Sequence, residues 1–382
     1  MKQIQESFVQ YAIEQCKILQ QIPSPTFQEA TIAEYVFQKF QSLGGEDIAK
    51  DNAGNVYAKI TGIKGTTPVV ISAHMDTVHP LETDLKITEQ ENRITGASIG
   101  DNSLGLAALI TLLRYFKEQG IKPPQDLWLV ANTTEEGLGN LAGMKAVVDR
   151  FKKKPSAYII LEGMGIGNIT TRGLSVKRYR FLFEGVGGHS WSDYGSPSAI
   201  HEMVHAIEKV LELPVPDEFK TTINIGKIIG GKSINTIAPW AEFEMDLRSE
   251  NTTVLERYNE LILATIAKTN PGLSVTHEVI GDRPGGFIKE NHPLVHKAVD
   301  AYKAYEIDAK FTAGSTDANI PLSMGLPAIC LGLTEGEHSH SLEETIDLLP
   351  LSKGLSAVVQ LLNLLWVKPK PKRRTTVGRK TL

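Results

Sequence analysis

The sequence has little cysteine, no long apolar run and no strong excess of one charge, and each absence narrows what the protein can be. Its two cysteines, Cys16 and Cys330, lie far apart without the spacing of a zinc or redox motif, so no disulfide framework is expected. No apolar run approaches the roughly 20 residues of a membrane helix, and the start MKQIQESFVQYAIEQC is too polar for a secretory signal. We therefore expect a cytoplasmic protein without a membrane partner.

The net charge of -4 gives no general reason to expect a nucleic acid as partner. The charge is uneven, however, because seven lysines and arginines lie in residues 368–382, and the rest of the chain carries about -11. Pro369 and Pro371 lie among them, which predicts a disordered or extended basic tail. We interpret this tail as a solubilising segment, with contact to RNA or to an acidic partner as the alternative.

A chain of 382 residues with 41% hydrophobic residues is long enough for one large domain or two of ordinary size. Helical spacing alternates with short β-rich runs up to about residue 161, which favours an α/β sheet with crossover connections. Residues 176–279 instead follow the order strand, helix, strand, strand, helix, strand, which is typical of a small antiparallel sheet with helices on one face.

The α/β pattern resumes at about Pro293 with a helix, a turn at Gly314, a strand and a closing helix that ends at Val367. We therefore predict the α/β class: a discontinuous domain with a mixed, largely parallel sheet and a small α+β domain inserted into it. The predicted boundaries are 1–174 and 285–367 for the α/β domain, 175–284 for the inserted domain and 368–382 for the tail.

Candidate ligands begin with His74, which ends the apolar run 68–73 and so lies where open α/β sheets place their ligands. Asp76, two residues on, can accept the second ring proton of this histidine, as neighbours of metal-bound histidines do. Asp101 follows a loop of small residues and precedes a helix. Taken alone, His74 could simply cap a strand, and Asp101 could cap the helix that follows it. The two oxygens of the Asp101 carboxylate could instead bridge two cations.

Acidic residues follow two further apolar strands. Glu135 and Glu136 come after the run 127–132, and adjacent acids repel each other unless cations or solvent separate them. Because successive side chains of an extended segment point in opposite directions, one can bind a metal while the other acts as a general base. Glu162 follows the run 157–161 in the same way. A solvated acidic pair is the alternative for Glu135 and Glu136.

Two histidines, His338 and His340, follow the last apolar strand, 328–333. Imidazole nitrogens and carboxylate oxygens are ligands of zinc, and two such ions a few ångströms apart can generate hydroxide and polarise a carbonyl together. The order of these short motifs along the chain therefore indicates a two-metal hydrolase that cleaves an acyl bond.

The combined motifs resemble the di-zinc metallopeptidase family that includes peptidase T, glutamate carboxypeptidase, acetylornithine deacetylase and succinyl-diaminopimelate desuccinylase. The resemblance covers about residues 5–367. It implies two zinc ions per chain, for which cobalt or manganese could substitute. The implied metal ligands are His74 and Glu162 on one ion, Glu136 and His340 on the other, and Asp101 as the bridge between them.

The same resemblance implies that Glu135 is the general base, which takes a proton from the attacking water and delivers it to the leaving amine. Asp76 would orient His74. His340 is preferred as ligand because a glutamate follows it four residues later, at Glu344, as in the family; His338 is the fallback ligand.

The inserted domain resembles the lid of this family, a domain of the dimerisation type. His189, in Gly187-Gly188-His189-Ser190, matches the lid histidine that stabilises the oxyanion and often acts across a dimer, so a homodimer through the lid is plausible. The resemblance implies further residues that contact the substrate, where the arginine suits a terminal carboxylate: Asn235, Arg248, Gly314 and Ser315.

Two positions bear on the substrate class. Ser103 stands where many relatives have a lysine, two residues after the bridging aspartate. Glu162 is typical of carboxypeptidases and acyl-amino-acid hydrolases, whereas the loop around Asp101 resembles the peptidase T-like branch, which tends to have aspartate in place of Glu162. We predict a zinc-dependent exopeptidase of small peptides. A deacylase of N-acyl amino acids and a catalytically silent metal-binding protein are the alternatives.

Overall fold

The computed structural model describes residues 3–63, 67–268 and 272–366, so the predicted basic tail, 368–382, lies outside the described residues. No helix in these ranges is both long and apolar enough to cross a membrane. The helices are α1 (Glu6–Gln20), α2 (Ala30–Ser42), α3 (Gly105–Glu118), α4 (Ala142–Phe151), α5 (Ala199–Leu211), α6 (Thr252–Lys268), α7 (Pro293–Lys303), α8 (Asn319–Ser323) and α9 (Leu351–Trp366).

The strands form a large sheet, a smaller four-stranded sheet and two minor ones. In chain order they are β1 (Glu46–Lys50), β2 (Val56–Ile60), β3 (Val69–His74), β4 (Thr88–Gln90), β5 (Arg93–Thr95), β6 (Leu127–Asn132), β7 (Ala157–Met164), β8 (Asn168–Gly173), β9 (Ser175–Glu184), β10 (Gly188–His189), β11 (Thr221–Gly230), β12 (Thr236–Ile237), β13 (Trp240–Ser249), β14 (Ser274–Arg283), β15 (Gly286–Phe287), β16 (Lys310–Gly314), β17 (Ala328–Thr334), β18 (Gly336–Glu337) and β19 (Thr345–Asp347).

The large sheet has the strand order β1-β2-β6-β3-β7-β17-β8-β15, with β16 paired to β8. Its central strands β6, β3, β7 and β17 run parallel, whereas β1 and β2 are antiparallel at one edge. The parallel strands are almost wholly buried, as their continuous apolar runs indicated. The predicted mixed α/β sheet is confirmed, and the carboxyl ends of its central strands meet at one edge.

The smaller sheet has the order β11-β13-β9-β14 and is antiparallel throughout. Its central strand β13 alternates buried and half-buried residues, because only one face packs against α5 and α6. The buried apolar side chains of this unit form a cluster separate from the core of the large sheet. A separate α+β domain is therefore confirmed, while its boundaries, 175–284, stay a prediction.

Two features differ from the sequence-based expectation. Gly314 was expected in a turn, but it ends the strand β16, and the turn follows directly after it. The strands β1 and β8 were also not predicted. Strands β1 and β16 are only five residues long and largely exposed, so they lack the apolar run or alternation from which a strand is recognised.

Candidate metal centre

A cavity of about 1040 Å³ lies at the carboxyl edge of the large sheet, and residues of both domains line it. The parallel strands bring side chains from distant parts of the sequence to this edge. His74 ends β3, Glu135 and Glu136 follow β6, and Glu162 lies in β7. His340 follows β17 and β18, so the cavity collects the predicted metal ligands and the predicted general base.

The first cluster of ligand atoms forms around the buried His74. Its Nε2 lies 3.1 Å from Oδ1 of Asp101 and 3.6 Å from Oε2 of Glu162. One ligand atom from each of these three residues lies within 4.8 Å of the other two. One imidazole nitrogen and two carboxylates at this separation could hold one divalent cation.

The second cluster shares Asp101 with the first. Nε2 of His340 lies 3.1 Å from Oδ2 of Asp101 and 3.2 Å from Oε1 of Glu136. One oxygen of Asp101 thus faces His74 and the other faces His340, which is the arrangement that a bridging carboxylate requires. His338 also lines the cavity but belongs to none of the ligand clusters formed by the described residues.

The charge of the centre fits bound cations. Four carboxylates belong to its clusters of ligand atoms, from Asp101, Glu135, Glu136 and Glu162. Among the described residues, only one lysine or arginine lies within 4.0 Å of any of them, namely Arg283 beside Glu135. Carboxylates withdrawn from water are costly unless they are paired or coordinate a metal. The donor set of two imidazoles and several carboxylates is of the type that zinc accepts.

The two histidines would release protons when they bind metal. Burial alone would lower the pKa of His74, but hydrogen bonds with Asp101, Asp76 and Glu162 raise it well above its usual range. Hydrogen bonds with Asp101 and Glu136 raise the pKa of His340 to about 10. Because only the neutral imidazole can be a ligand, protons and cations compete for both rings.

Asp76 contacts both His74 and the acidic pair. Its backbone carbonyl lies 2.9 Å from Nδ1 of His74, whereas its carboxylate Oδ1 is 3.7 Å from the same nitrogen. The carboxylate accepts hydrogen bonds from the backbone N–H groups of Glu135 and Glu136, each at 2.8 Å. The aspartate predicted to orient the histidine therefore reaches it through the main chain and fixes the acidic pair with its side chain.

Glu135 is buried beside the metal ligands, with an oxygen near both His74 and Glu136. Burial raises the pKa of Glu135 well above its usual range, although the positive charge of Arg283 opposes the rise. A carboxyl group with a raised pKa is a stronger base near neutral pH than an exposed one.

The residues predicted to contact the substrate or the oxyanion divide into two sets. Arg248 and Ser315 line the cavity, and Gly314 directly precedes Ser315. His189 and Asn235 do not line the cavity as the described residues form it. They lie together on a ribbon in which β10 pairs with β12, and Ser190 donates a backbone hydrogen bond to the carbonyl of Asn235.

Three buried residues of the site were not assigned from the sequence. Arg283, at the end of β14, contacts Glu135. Asp317 accepts a 2.7 Å hydrogen bond from Asn132, at the end of β6. The carboxylate of Glu344 accepts hydrogen bonds from three backbone N–H groups around the two ligands Asp101 and His340. Glu344 left a signal through its spacing from His340, and Asp317 ends the loop 314–317, which also contains the predicted Gly314 and Ser315.

Comparison with known proteins agrees with this geometry. The sequence model of the peptidase family M20/M25/M40 matches residues 70–364, which is more than half of the chain. The chain belongs to peptidase family M20/M25/M40. Membership confirms the resemblance that the motifs indicated, and with it the prediction of a metallopeptidase with hydrolase activity.

Relatives of this M20/M25/M40 member include an uncharacterized protein, YqjE, of Bacillus subtilis (strain 168), which is 26% identical over 361 residues, 90% of this chain and 95% of that protein. Acetylornithine deacetylase of Shigella sonnei (strain Ss046) is 26% identical over 265 residues, 64% of this chain and 67% of the relative. The crystal structure of a tripeptidase from Staphylococcus aureus has a similar fold, with a TM-score of 0.79 and 24% identity over 94% of this chain and 98% of that one.

Proposed function

We propose that the protein is a zinc-dependent exopeptidase that hydrolyses small peptides. The observation that carries the proposal is the position of Asp101, whose two oxygens lie 3.1 Å from His74 and 3.1 Å from His340. His74, Asp101 and Glu162 would hold one ion, and Asp101, Glu136 and His340 the other. Bound there, the two ions would supply Lewis acidity and make water in the site more acidic.

Glu135 is the general base of this proposal. Its backbone N–H is held by Asp76, the carboxylate of its neighbour Glu136 faces His340, and burial raises the pKa of Glu135. It takes a proton from the attacking water and passes the proton to the leaving amine, so one carboxyl group serves both halves of the reaction. A protein that only bound metal would have no need of a general base in this place.

Small peptides are the proposed substrates. Arg248 stands in the cavity wall and suits the terminal carboxylate of a peptide, and the fold is similar to that of a tripeptidase. N-acyl amino acids are the second candidate, because the chain is also similar to an acetylornithine deacetylase. Glu162, typical of carboxypeptidases and acyl-amino-acid hydrolases, fits both candidates, and the metal centre itself does not distinguish an acyl group from a peptide.

We further propose that the lid, residues 175–284, completes the site of a second copy. His189 and Asn235 lie outside the cavity of their own chain, on a ribbon that also exposes Trp191 and Ile234 almost completely. Large apolar side chains exposed side by side are typical of an interaction surface. In a homodimer, His189 would donate a hydrogen bond to the oxyanion formed in the partner's cavity.

Metal analysis combined with a panel of dipeptides, tripeptides and N-acyl amino acids tests the proposal. We expect about two zinc ions per chain and cleavage of peptides. Glu135→Gln should keep the metal and lose about 100-fold to 10,000-fold in kcat, whereas Glu136→Gln should lose metal. Cleavage of acyl amino acids alone would establish the second candidate, and metal without any turnover would exclude both.

A further inference from the structure

Arg283 is the last residue of β14 in the lid, but its side chain lies beside the acidic pair of the catalytic domain. The residue is only 5% exposed. Its Nη2 donates a 2.7 Å hydrogen bond to the backbone carbonyl of Glu135 and a 3.3 Å one to that of Gly137. Its Nη1 donates to Oγ of Ser315 at 3.1 Å and lies 3.5 Å from Oε1 of Glu135. One guanidinium thus contacts both the backbone and the carboxylate of the proposed base.

The positive charge of Arg283 lies next to the carboxylate of Glu135, the proposed base. Within the described ranges, Glu135 provides the only carboxylate within 4.0 Å of the Arg283 guanidinium. A buried guanidinium without a counter-charge would be strongly destabilising, so the pairing with Glu135 accounts for its position. Its planar group can contact two acceptors at once with fixed geometry, which a lysine ammonium cannot do.

Neighbouring lid residues hold the same segment. Arg178 lies opposite Gly281 in the register of β9 with β14, and its Nη1 donates a 2.8 Å hydrogen bond to the carbonyl of Gly137. The backbone N–H of Asp282 donates to Oδ1 of Asn140 at 2.9 Å. Two adjacent lid strands therefore hold residues 135–140, the segment that carries the base.

We propose that Arg283 is a positioning residue that places Glu135 for proton transfer, and that it does so only while β14 of the lid is seated against residues 135–140. The inference rests on the proposed role of Glu135 as general base. Proton transfer then depends on the orientation of the lid, because Arg283 lies in β14, which is a strand of the lid sheet. Of the proposed metal ligands, only Glu136 lies in residues 135–140, and its backbone N–H is also held by Asp76, so we expect metal binding to be kept without Arg283.

Kinetics of Arg283→Ala, with metal content measured on the same samples, test this proposal. We expect kcat to fall about 100-fold, because small displacements of a catalytic group have effects of this size. KM should change by less than about threefold and the zinc content should stay near that of the wild type. The melting temperature should fall, because buried acceptors lose their donor, but the variant should remain folded at the assay temperature. Guanidinium ion at a low, non-denaturing concentration should restore part of kcat, because Arg283 lines the cavity and its side chain would leave room there.

The matched control is Arg257→Ala, which removes an exposed lid arginine on α6 that pairs with Glu218. This variant should have the kcat of the wild type and no response to guanidinium. The inference is overturned if Arg283→Ala behaves like the control. It is also overturned if kcat is lost together with metal or fold and guanidinium does not restore it, because the arginine would then be merely structural.

A second variant keeps the inference testable if Arg283→Ala does not fold. Arg283→Lys retains the positive charge and the aliphatic stem but not the planar group, so we expect about a tenfold fall in kcat with normal metal content. A wild-type kcat in this variant would exclude the positioning role. Failure of the proposed function would look different, because the wild-type enzyme itself would then show no metal-dependent turnover.

Discussion

The carboxylate of Glu344 accepts a 2.8 Å hydrogen bond from the backbone N–H of Asp101, which lies 243 residues earlier in the chain. It also accepts hydrogen bonds from the backbone N–H groups of Gly100, at 2.7 Å, and of His340, at 3.1 Å. One fully buried side chain therefore fixes the loops of two proposed metal ligands, which explains why a glutamate four residues after His340 accompanies a centre of this kind.

Glu344→Ala should weaken both the fold and the metal centre. Three backbone donors, that of Gly100 fully buried, would lose their acceptor, so we expect the free energy of unfolding to fall by about 3 kcal/mol. Zinc affinity should fall about 10-fold to 100-fold, as is usual when a partner behind a metal ligand is removed. Urea denaturation and zinc titration measure the two effects. The exposed neighbour Glu343, changed to Ala, is the control and should alter neither quantity.

His340 and His338 should differ in their effect on metal content. His340 lies within 3.2 Å of both Asp101 and Glu136, whereas His338 joins no ligand cluster among the described residues. Emission spectrometry of purified His340→Ala should therefore find about one zinc ion per chain, and His338→Ala should retain about two. The reverse result would transfer the ligand role to His338.

Asp317 should make the stability of the metal-free protein depend on pH. Burial raises the pKa of Asp317 to about 7, while in the unfolded chain this carboxyl has a pKa of about 3.9. Between these values the folded state binds a proton that the unfolded state has released. The contribution of Asp317 to the free energy of unfolding should therefore fall as the pH rises from about 4 to about 7, and stay constant above.

Asp317→Asn isolates this contribution, because the amide cannot titrate. Urea denaturation in the presence of a chelator, at about pH 5 and about pH 8, should show a larger loss of stability in the wild type than in the variant. Equal losses in the two proteins would mean that Asp317 is ionised throughout. Nδ2 of Asn132 donates a hydrogen bond to Asp317, but Oδ1 of Asn132 has no partner among the described residues. A protonated Asp317 carboxyl would offer a donor for such an acceptor.

Two inactive variants should regain activity when they are combined, if the lid histidine acts across a dimer. Glu135→Gln leaves the lid intact, and His189→Ala leaves the base intact, so a mixed dimer contains one cavity with both groups unaltered. After the two variants are unfolded and refolded together, activity should reach about a quarter of the wild-type value, as random pairing gives one mixed dimer in two with one working site each. Activity no greater than the sum of the separate variants would contradict the shared site.

The sequence predicted those parts of the site that depend on local pattern. His74 ends a buried parallel strand, Glu136 follows one and Glu162 lies near the end of one, and the carboxyl ends of such strands converge at one edge of the sheet. The predicted α/β sheet and the inserted α+β domain are confirmed for the same reason, since their apolar periodicities are long and regular. The cytoplasmic location stays a prediction.

What the sequence could not show depends on contacts between distant segments. Arg283 belongs to a lid strand that reads as an ordinary exposed strand, and its contact with Glu135 exists only because β14 ends beside residues 135–140. Asp317 lies in the loop 314–317, but the loop sequence does not show that burial raises the pKa of this carboxyl. The distance of His189 from its own cavity is likewise a property of the domain arrangement rather than of the residues around it.

The discontinuous domain has a consequence for synthesis of the protein. A nascent chain that has emerged only as far as the lid already carries His74, Asp101, Glu136 and Glu162. It lacks Glu344, which fixes the Asp101 loop, and His340 of the second cluster, because both lie between β18 and β19, the last two strands of the chain. With the proposed ligand set, the growing chain would hold the second ion only after His340 has been made, so binding of both ions would mark a nearly finished chain.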